Sequence, residues 1–225
     1  MEFAIPAEIK AKLEQLDDFI AREIKPLEDQ HRQYFDHRRE HARTNWDDDG
    51  KPRREWEELL GEMRRRADKA GHLRFALPKA LGGQDGSNLA MAIIREHLAR
   101  KGLGLHNDLQ NESSIVGNFP VVHLMHEYGT PEQQANYLEG MITGKHRIAF
   151  GLTEPNHGSD ATWMETRAKR DGKQWVINGA KRFNTGLHNA TVDLVFARTS
   201  GKDGDGGGVT AFLVPTDTPG FKVEF

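Results

Sequence analysis

Between Ala149 and Asp160 the chain reads AFGLTEPNHGSD. This is an apolar strand-like run, then a hydroxyl at Thr153, an acid at Glu154, and a proline that cannot donate to a strand ladder. The turn Asn156-His157-Gly158 follows and presents Ser159 and Asp160. A strand end followed by a glycine turn sets backbone N–H groups and hydroxyls along one sheet edge. Such an edge suits an anionic or carbonyl-rich ligand. Taken singly, Thr153 and Ser159 also fit ordinary turn chemistry, and Phe183 fits core packing.

Two other stretches invite chemical readings. His37-Arg38-Arg39-Glu40-His41 has the H-x-x-E-H spacing of an inverted zinc-protease motif, which on one helix face could take a metal. A working site needs a third protein ligand, and the flanking arginines oppose a cation, so a solvated charged segment is the better reading and no metal is expected. Ser200–Gly208 (SGKDGDGGG) lacks both the lysine–helix sequel of a phosphate loop and the ligand spacing of a calcium loop. It reads as a hairpin connection.

The whole chain limits the possibilities further. Its 225 residues carry no cysteine, which excludes disulfides, thiolate metal sites and cysteine nucleophiles within it. A net charge of -3 offers no general attraction to nucleic acid or anionic membrane. The N-terminal MEFAIPAEIK does not read as a secretory signal, and no apolar run approaches the roughly 20 residues of a membrane helix. We therefore expect a soluble, cytoplasmic protein with no membrane insertion.

The elements that must position the strand end fall into two blocks. Residues 1–146 read as helical. An amphipathic helix starts at Pro6 and ends or kinks at Pro26, a second spans about Arg53–Ala70, and a largely buried third runs from Asn88 to Lys101 behind the cap Ser87. A fourth is expected over Leu109–Tyr128 with a kink at Pro120. Thr130-Pro131-Glu132-Gln133 opens a fifth with the chemistry of a capping box. From Arg147 the period shortens. Strands are expected at Arg147–Phe150, Thr162–Ala168, Gln174–Ile177, Thr191–Ala197 and Val209–Val214. The fold class expected is α+β: an N-terminal all-α domain (1–146) followed by an antiparallel β-barrel or sandwich domain (147–225).

Leu152-Thr153-Glu154-Pro155, Gly158-Ser159-Asp160, Thr166–Ala168, Asn178-Gly179 and Lys181 together resemble the signature of the acyl-CoA dehydrogenase family. Thr130-Pro131-Glu132-Gln133-Gln134 and Leu81-Gly82-Gly83 add weaker matches in the same order, and the resemblance spans nearly the whole chain. It implies FAD as cofactor and α,β-dehydrogenation of an acyl-CoA thioester, a step of fatty acid metabolism. It also implies a site. The backbone near Phe150 and Leu152, with the Thr153 hydroxyl, would meet the flavin pyrimidine edge. Gly158 and Ser159 would reach a phosphate of the cofactor or of the CoA ester, so Ser159 is also the implied substrate contact. Phe183 would pack against the flavin, and Thr185 would approach its N5.

The departures bear on substrate class more than on cofactor class. The usual W-I-T triplet reads Phe183-Asn184-Thr185, Trp163 follows the GSD turn, and the charged stretch between the first two helices is long. Family members continue past the position of Phe225 into a helical bundle, which carries the catalytic base in most branches. The chain is thus expected to be a truncated portion of the enzyme, its base lying beyond Phe225, with weak FAD binding and no turnover of its own. The resemblance further implies an electron-transfer flavoprotein or similar acceptor, and a homo-oligomer at full length. An acyl-CoA oxidase and a non-catalytic, DNA-protecting relative are the alternatives, the latter disfavoured by the charge.

Overall fold

The computed structural model describes residues 4–36, 38, 42–48, 50–108 and 113–224. They form two compact units, residues 1–134 and 135–225.

In the first unit, helix α1 (Ala7–Phe19) starts behind Pro6 and buries Ile9, Leu16 and Phe19. It runs through a π-helical turn, Ile20–Ile24, into α2 (Lys25–Gln30). Lys25 donates its N–H to Ile20 O, five residues back, immediately before Pro26, which has no N–H to give. The proline therefore shifts the hydrogen-bond ladder by one residue and does not end the helix. A small ribbon, β1 (Thr44–Asn45) with β2 (Lys51–Pro52), closes the polar stretch that follows. His37 and His41 lie outside the described residues.

Helix α3 (Arg54–Lys69) buries Trp56, Leu59, Leu60, Met63 and Ala67, one face at helical spacing. The Arg43 guanidinium lies 4.3 Å from the Trp56 ring centre and pairs with the buried Asp108, so the polar ribbon is seated on this apolar face. Helix α4 (Asn88–Arg100) is capped as expected, the Ser87 hydroxyl accepting from Ala90 N–H at 3.1 Å. It is less buried than its composition suggests. Ala90, Ile94 and Leu98 face inward, but Leu89 is 60% exposed. A second ribbon, β3 (Asn107–Asp108) with β4 (Ser113–Ser114), occupies part of the stretch expected as helix; residues 109–112 lie outside the described part. Helix α5 covers only Pro120–Tyr128, and Pro120 starts it where a kink was expected. A missing N–H costs nothing in a first turn, so the proline fits a start better than an interior. Helix α6 (Pro131–Thr143) opens on a complete capping box: Gln133 N–H donates to the Thr130 hydroxyl at 3.2 Å, and Thr130 N–H to Gln133 Oε1 at 2.9 Å. Gly144, at φ +83°, ends it.

The second unit is built on one five-stranded mixed sheet. Strand β8 (Val192–Arg198) is its centre, and β9 (Val209–Pro215) pairs antiparallel along its whole length. On the other edge β5 (Ile148–Gly151) runs parallel to β8 from Val192 to Val195. The chain then leaves that edge. It returns as β6 (Arg167–Asp171), whose first residue pairs parallel with Arg198, and β7 (Gln174–Asn178) completes a hairpin with β6. The strand expected from Thr162 begins only at Arg167, because Ala161–Trp163 form a 3-10 turn capped by Asp160, which accepts from Thr162 N–H. Residues 152–166 thus project from the sheet between two points pinned to the same strand.

One buried pair in the first unit makes a pH prediction. Lys12 Nζ lies 3.1 Å from His72 Nδ1, both side chains are buried, and Phe19 meets the His72 ring edge-on at 4.9 Å. Burial, then the Lys12 charge, push the His72 pKa down to about 4 from 6.5. Between those values the unfolded chain takes a proton that the folded chain refuses. Folding therefore weakens as pH falls through this window, by up to about 3 kcal/mol once pH is below 4. Urea unfolding at pH 7, 5.5 and 4 should show this loss, and a His72→Phe variant should flatten that part of the slope.

Candidate functional site

The loop 152–166 is closed by one carboxylate. Glu154 is 2% exposed, and it accepts from the N–H of Thr166 at 2.9 Å and from the N–H of Glu165, both at the far end of the loop. The same group pairs with Lys181 at 2.7 Å, and Lys181 Nζ also donates to Leu152 O at 3.1 Å. Burial raises the Glu154 pKa, but the Lys181 ammonium, Thr166 and the N–H of Glu165 outweigh it, and the carboxyl titrates below its ordinary range. Burial pulls Lys181 down against the opposing pull of Glu154 and Asp193. With charge-assisted donors on the carboxylate, we read the pair as ionised.

This clasp brings together two segments that are distant in sequence. Arg182 N–H donates to Thr153 O at 3.0 Å, and Arg182 Nη1 reaches Pro155 O at 3.3 Å. The strand end Leu152–Glu154 therefore lies beside Lys181-Arg182, with Phe183 to Thr185 next in the chain. Phe183 is 75% exposed, sits in the left-handed region at φ +64°, and carries the Arg182 guanidinium 4.2 Å from its ring centre. The Thr185 hydroxyl is exposed and donates to Phe183 O at 3.3 Å. Among the described residues, no side-chain hydrogen bond engages the hydroxyl of Thr153 or of Ser159.

The remaining expected residues are less tightly gathered. Phe150 lies on β5 with its ring 5.0 Å from that of Phe196, and it remains 44% exposed. Gly158 and Ser159 form an exposed bend just after the turn in which Glu154 and His157 exchange backbone hydrogen bonds. A Cβ added at Gly158 would meet nothing within 4 Å, and its φ does not lie in the left-handed region. Nothing in the chain demands glycine there, whereas a ligand approaching the backbone closely would. No hydrogen bond among the described residues ties Ser159 to the Phe183–Thr185 turn.

Two buried charged residues of β8 support the loop and were not among the expected site residues. Arg198 donates to the carbonyls of Thr162, Ser200, Asp205 and Gly207, which joins the end of the loop to the glycine-rich hairpin. Asp193 lies beneath the strand end. Ionisable residues at buried positions of an otherwise apolar strand were the signal for both.

The donors fit a flavin. Thr153 and nearby backbone can serve the polar edge of a ring system, an exposed aromatic can pack on its face, and an open glycine–serine turn can receive a phosphate. Comparison with known proteins gives the family. Residues 6–145 match the model of the acyl-CoA dehydrogenase N-terminal domain, and residues 149–225 match that of the middle domain. The acyl-CoA dehydrogenase FadE12 of Mycobacterium tuberculosis is 30% identical over 194 residues, covering 85% of this chain and 44% of the relative. The caffeyl-CoA reductase-Etf complex subunit CarC of Acetobacterium woodii is 34% identical over 167 residues, 74% of this chain and 41% of its own length. The structure of a putative acyl-CoA dehydrogenase from Mycobacterium abscessus superposes with a TM-score of 0.76 at 28% identity, over 99% of this chain and 54% of that one. The chain belongs to the acyl-CoA dehydrogenase family, and it spans about half the length of the relatives it matches. No described helix is long and apolar enough to cross a membrane.

The clasp carries a direct prediction. Lys181→Met leaves a buried carboxylate without its counter-charge and should cost about 3–5 kcal/mol in urea unfolding. Because Glu154 titrates lower folded than unfolded, its contribution is complete above its ordinary pKa of 4.5 and is lost as pH falls through the folded value. In Lys181→Met that acid dependence should shrink.

Proposed function

We propose that this chain forms one wall of a flavin site in an enzyme that removes two hydrogens across the α,β bond of an acyl-CoA thioester. The observation that carries the reading is the clasped pair of segments, Leu152–Glu154 beside Lys181–Thr185, with the unengaged Thr153 hydroxyl and the exposed Phe183 ring. FAD, when bound, supplies the hydride acceptor. Backbone near Phe150 and Leu152 and the Thr153 hydroxyl would hold the polar edge of the ring, Phe183 would shield a face from water, and Thr185 would offer a hydroxyl to the reacting end of the ring. Gly158 and Ser159 receive a phosphate, of the cofactor or of the thioester. Preorganised donors of this kind contribute roughly 2.7–4 kcal/mol each where charge develops.

No residue of the chain is assigned to α-proton abstraction. We take residues 1–146 and 147–225 as the functional domains of a cytoplasmic, homo-oligomeric enzyme. Its partner is an electron-transfer flavoprotein or a similar acceptor, a reading supported by the relative named as a subunit of a reductase-Etf complex.

Titration of FAD into the chain, followed by flavin fluorescence, should show weak, saturable quenching. Phe183→Ala and Thr153→Val should each weaken it by about tenfold, as expected for losing roughly 1.4 kcal/mol of contact. Acyl-CoA should not bleach the flavin with the chain alone. Absence of quenching, or quenching untouched by both substitutions, would contradict the reading.

A further inference from the structure

Phe183 holds a backbone conformation that a residue with a Cβ rarely adopts, φ +64°, and it does so at the surface. Such a conformation persists only where the surroundings fix it. The next residue supplies the fixing contact. Asn184 Nδ2 donates to Asp193 Oδ2 at 2.8 Å, and Asp193, the second residue of β8, is 2% exposed. In the parallel register Asp193 pairs with Ala149, which places it two residues from the end of β5.

The pair also lies directly over Gly151. A Cβ built there would come within 2.9 Å of Asp193 Oδ2 and 3.1 Å of Asn184 Nδ2. Three pieces of chain therefore meet at one polar knot: the strand end that leads to Thr153, the turn that carries Phe183 and Thr185, and the central strand.

The knot is poorly explained by stability. The neighbours of Asp193 along the strand, Val192, Leu194, Val195 and Ala197, are buried and apolar. The other polar atom of each side chain, the second carboxylate oxygen Asp193 Oδ1 and the amide oxygen Asn184 Oδ1, is buried with no hydrogen-bond partner among the described residues. Partly satisfied buried polar groups cost folding free energy, and an apolar residue at 193 would avoid that cost. What the carboxyl adds is a fixed acceptor for Asn184. Burial holds its pKa above the ordinary carboxylate value, and Asn184, Lys181 and the Gly151 N–H offset that rise only in part.

We propose that Asp193 is a positioning residue: acting through Asn184, it holds the Phe183–Thr185 turn in the posture that presents the aromatic ring and the hydroxyl to the flavin. The inference rests on the flavin reading above for its purpose, but its mechanical part can be measured without ligand.

Hydrogen exchange of the Leu187 amide, which donates to Asn184 O at 3.1 Å, and of the Asn189 amide, which donates to Gly186 O at 3.0 Å, tests it in the full 225-residue chain, with FAD titration in parallel. Asp193→Ala and Asn184→Ala should each speed exchange at these amides by about tenfold relative to the β8 amides, matching loss of a coupling near 1.4 kcal/mol, and weaken FAD binding to a similar degree. The exchanged pair Asn184→Asp with Asp193→Asn keeps the hydrogen bond with its direction reversed, and should restore both. If Asp193→Ala does not fold, Asn184→Ala reports the same contact from the surface side. Unchanged exchange at Leu187 and Asn189 in Asn184→Ala, or a failure of the exchanged pair to restore it, overturns the proposal. Faster exchange in the variants of a chain that binds no FAD supports the positioning role and contradicts the flavin reading alone.

Discussion

The second unit depends on the buried contact between Glu154 and Lys181, 2.7 Å long. One carboxylate holds the start of the loop 152–166 to its end, through the N–H groups of Glu165 and Thr166, and holds both to the segment that begins at Lys181. Without that charge the loop would be an excursion from a sheet edge, with fourteen or so residues free to sample many conformations at an entropy cost of order 1 kcal/mol per residue. Buried ion pairs are weak evidence of net stability, since desolvation offsets much of the attraction. Their value lies in geometry, and here the geometry is the juxtaposition of two loops.

The sheet supplies what the clasp cannot. Strand β8 is paired on both edges, so it is the rigid reference to which the loop is anchored at Val195 and again at Arg198. Arg198 then ties the loop, at the Thr162 carbonyl, to the glycine-rich hairpin, at three carbonyls, and Asp193 extends the anchoring to the turn after Lys181. Functional groups thus stand on loops, where they are accessible. Buried charges on the strand below fix where those loops go.

Much of this was legible in the sequence because it rests on local chemistry. Ser87, and the pair Thr130 and Gln133, announced their helices, since a cap needs only neighbours within a turn. The change from helical to strand period after Arg147 marked the change of architecture. The failures share a cause. Pro120 was read as a kink because the apolar spacing runs past it, although its backbone chemistry suits a start. Leu89 was read as buried from composition, and which face of a helix is covered depends on what packs there. Thr162 was assigned to a strand on its β-branched character, while Asp160 capping made a 3-10 turn. Parallel pairing of β5 and β6 with β8, and the contact of Asn184 with Asp193, join residues by tertiary geometry that no local pattern encodes. At the proposed site, the motifs drew attention to Thr153, Ser159, Phe183 and Thr185, and left out Asp193 and Arg198, the buried charges beneath them.

The proposed flavin site requires that the strand-end turn and the Phe183–Thr185 turn form one ligand-facing surface. Amide chemical-shift mapping of the chain titrated with FAD measures this. Perturbations should concentrate at Leu152–Glu154, Gly158-Ser159 and Phe183–Thr185 and saturate together at a single affinity. Perturbations centred elsewhere on the chain, or the two turns responding at separate affinities, would contradict it.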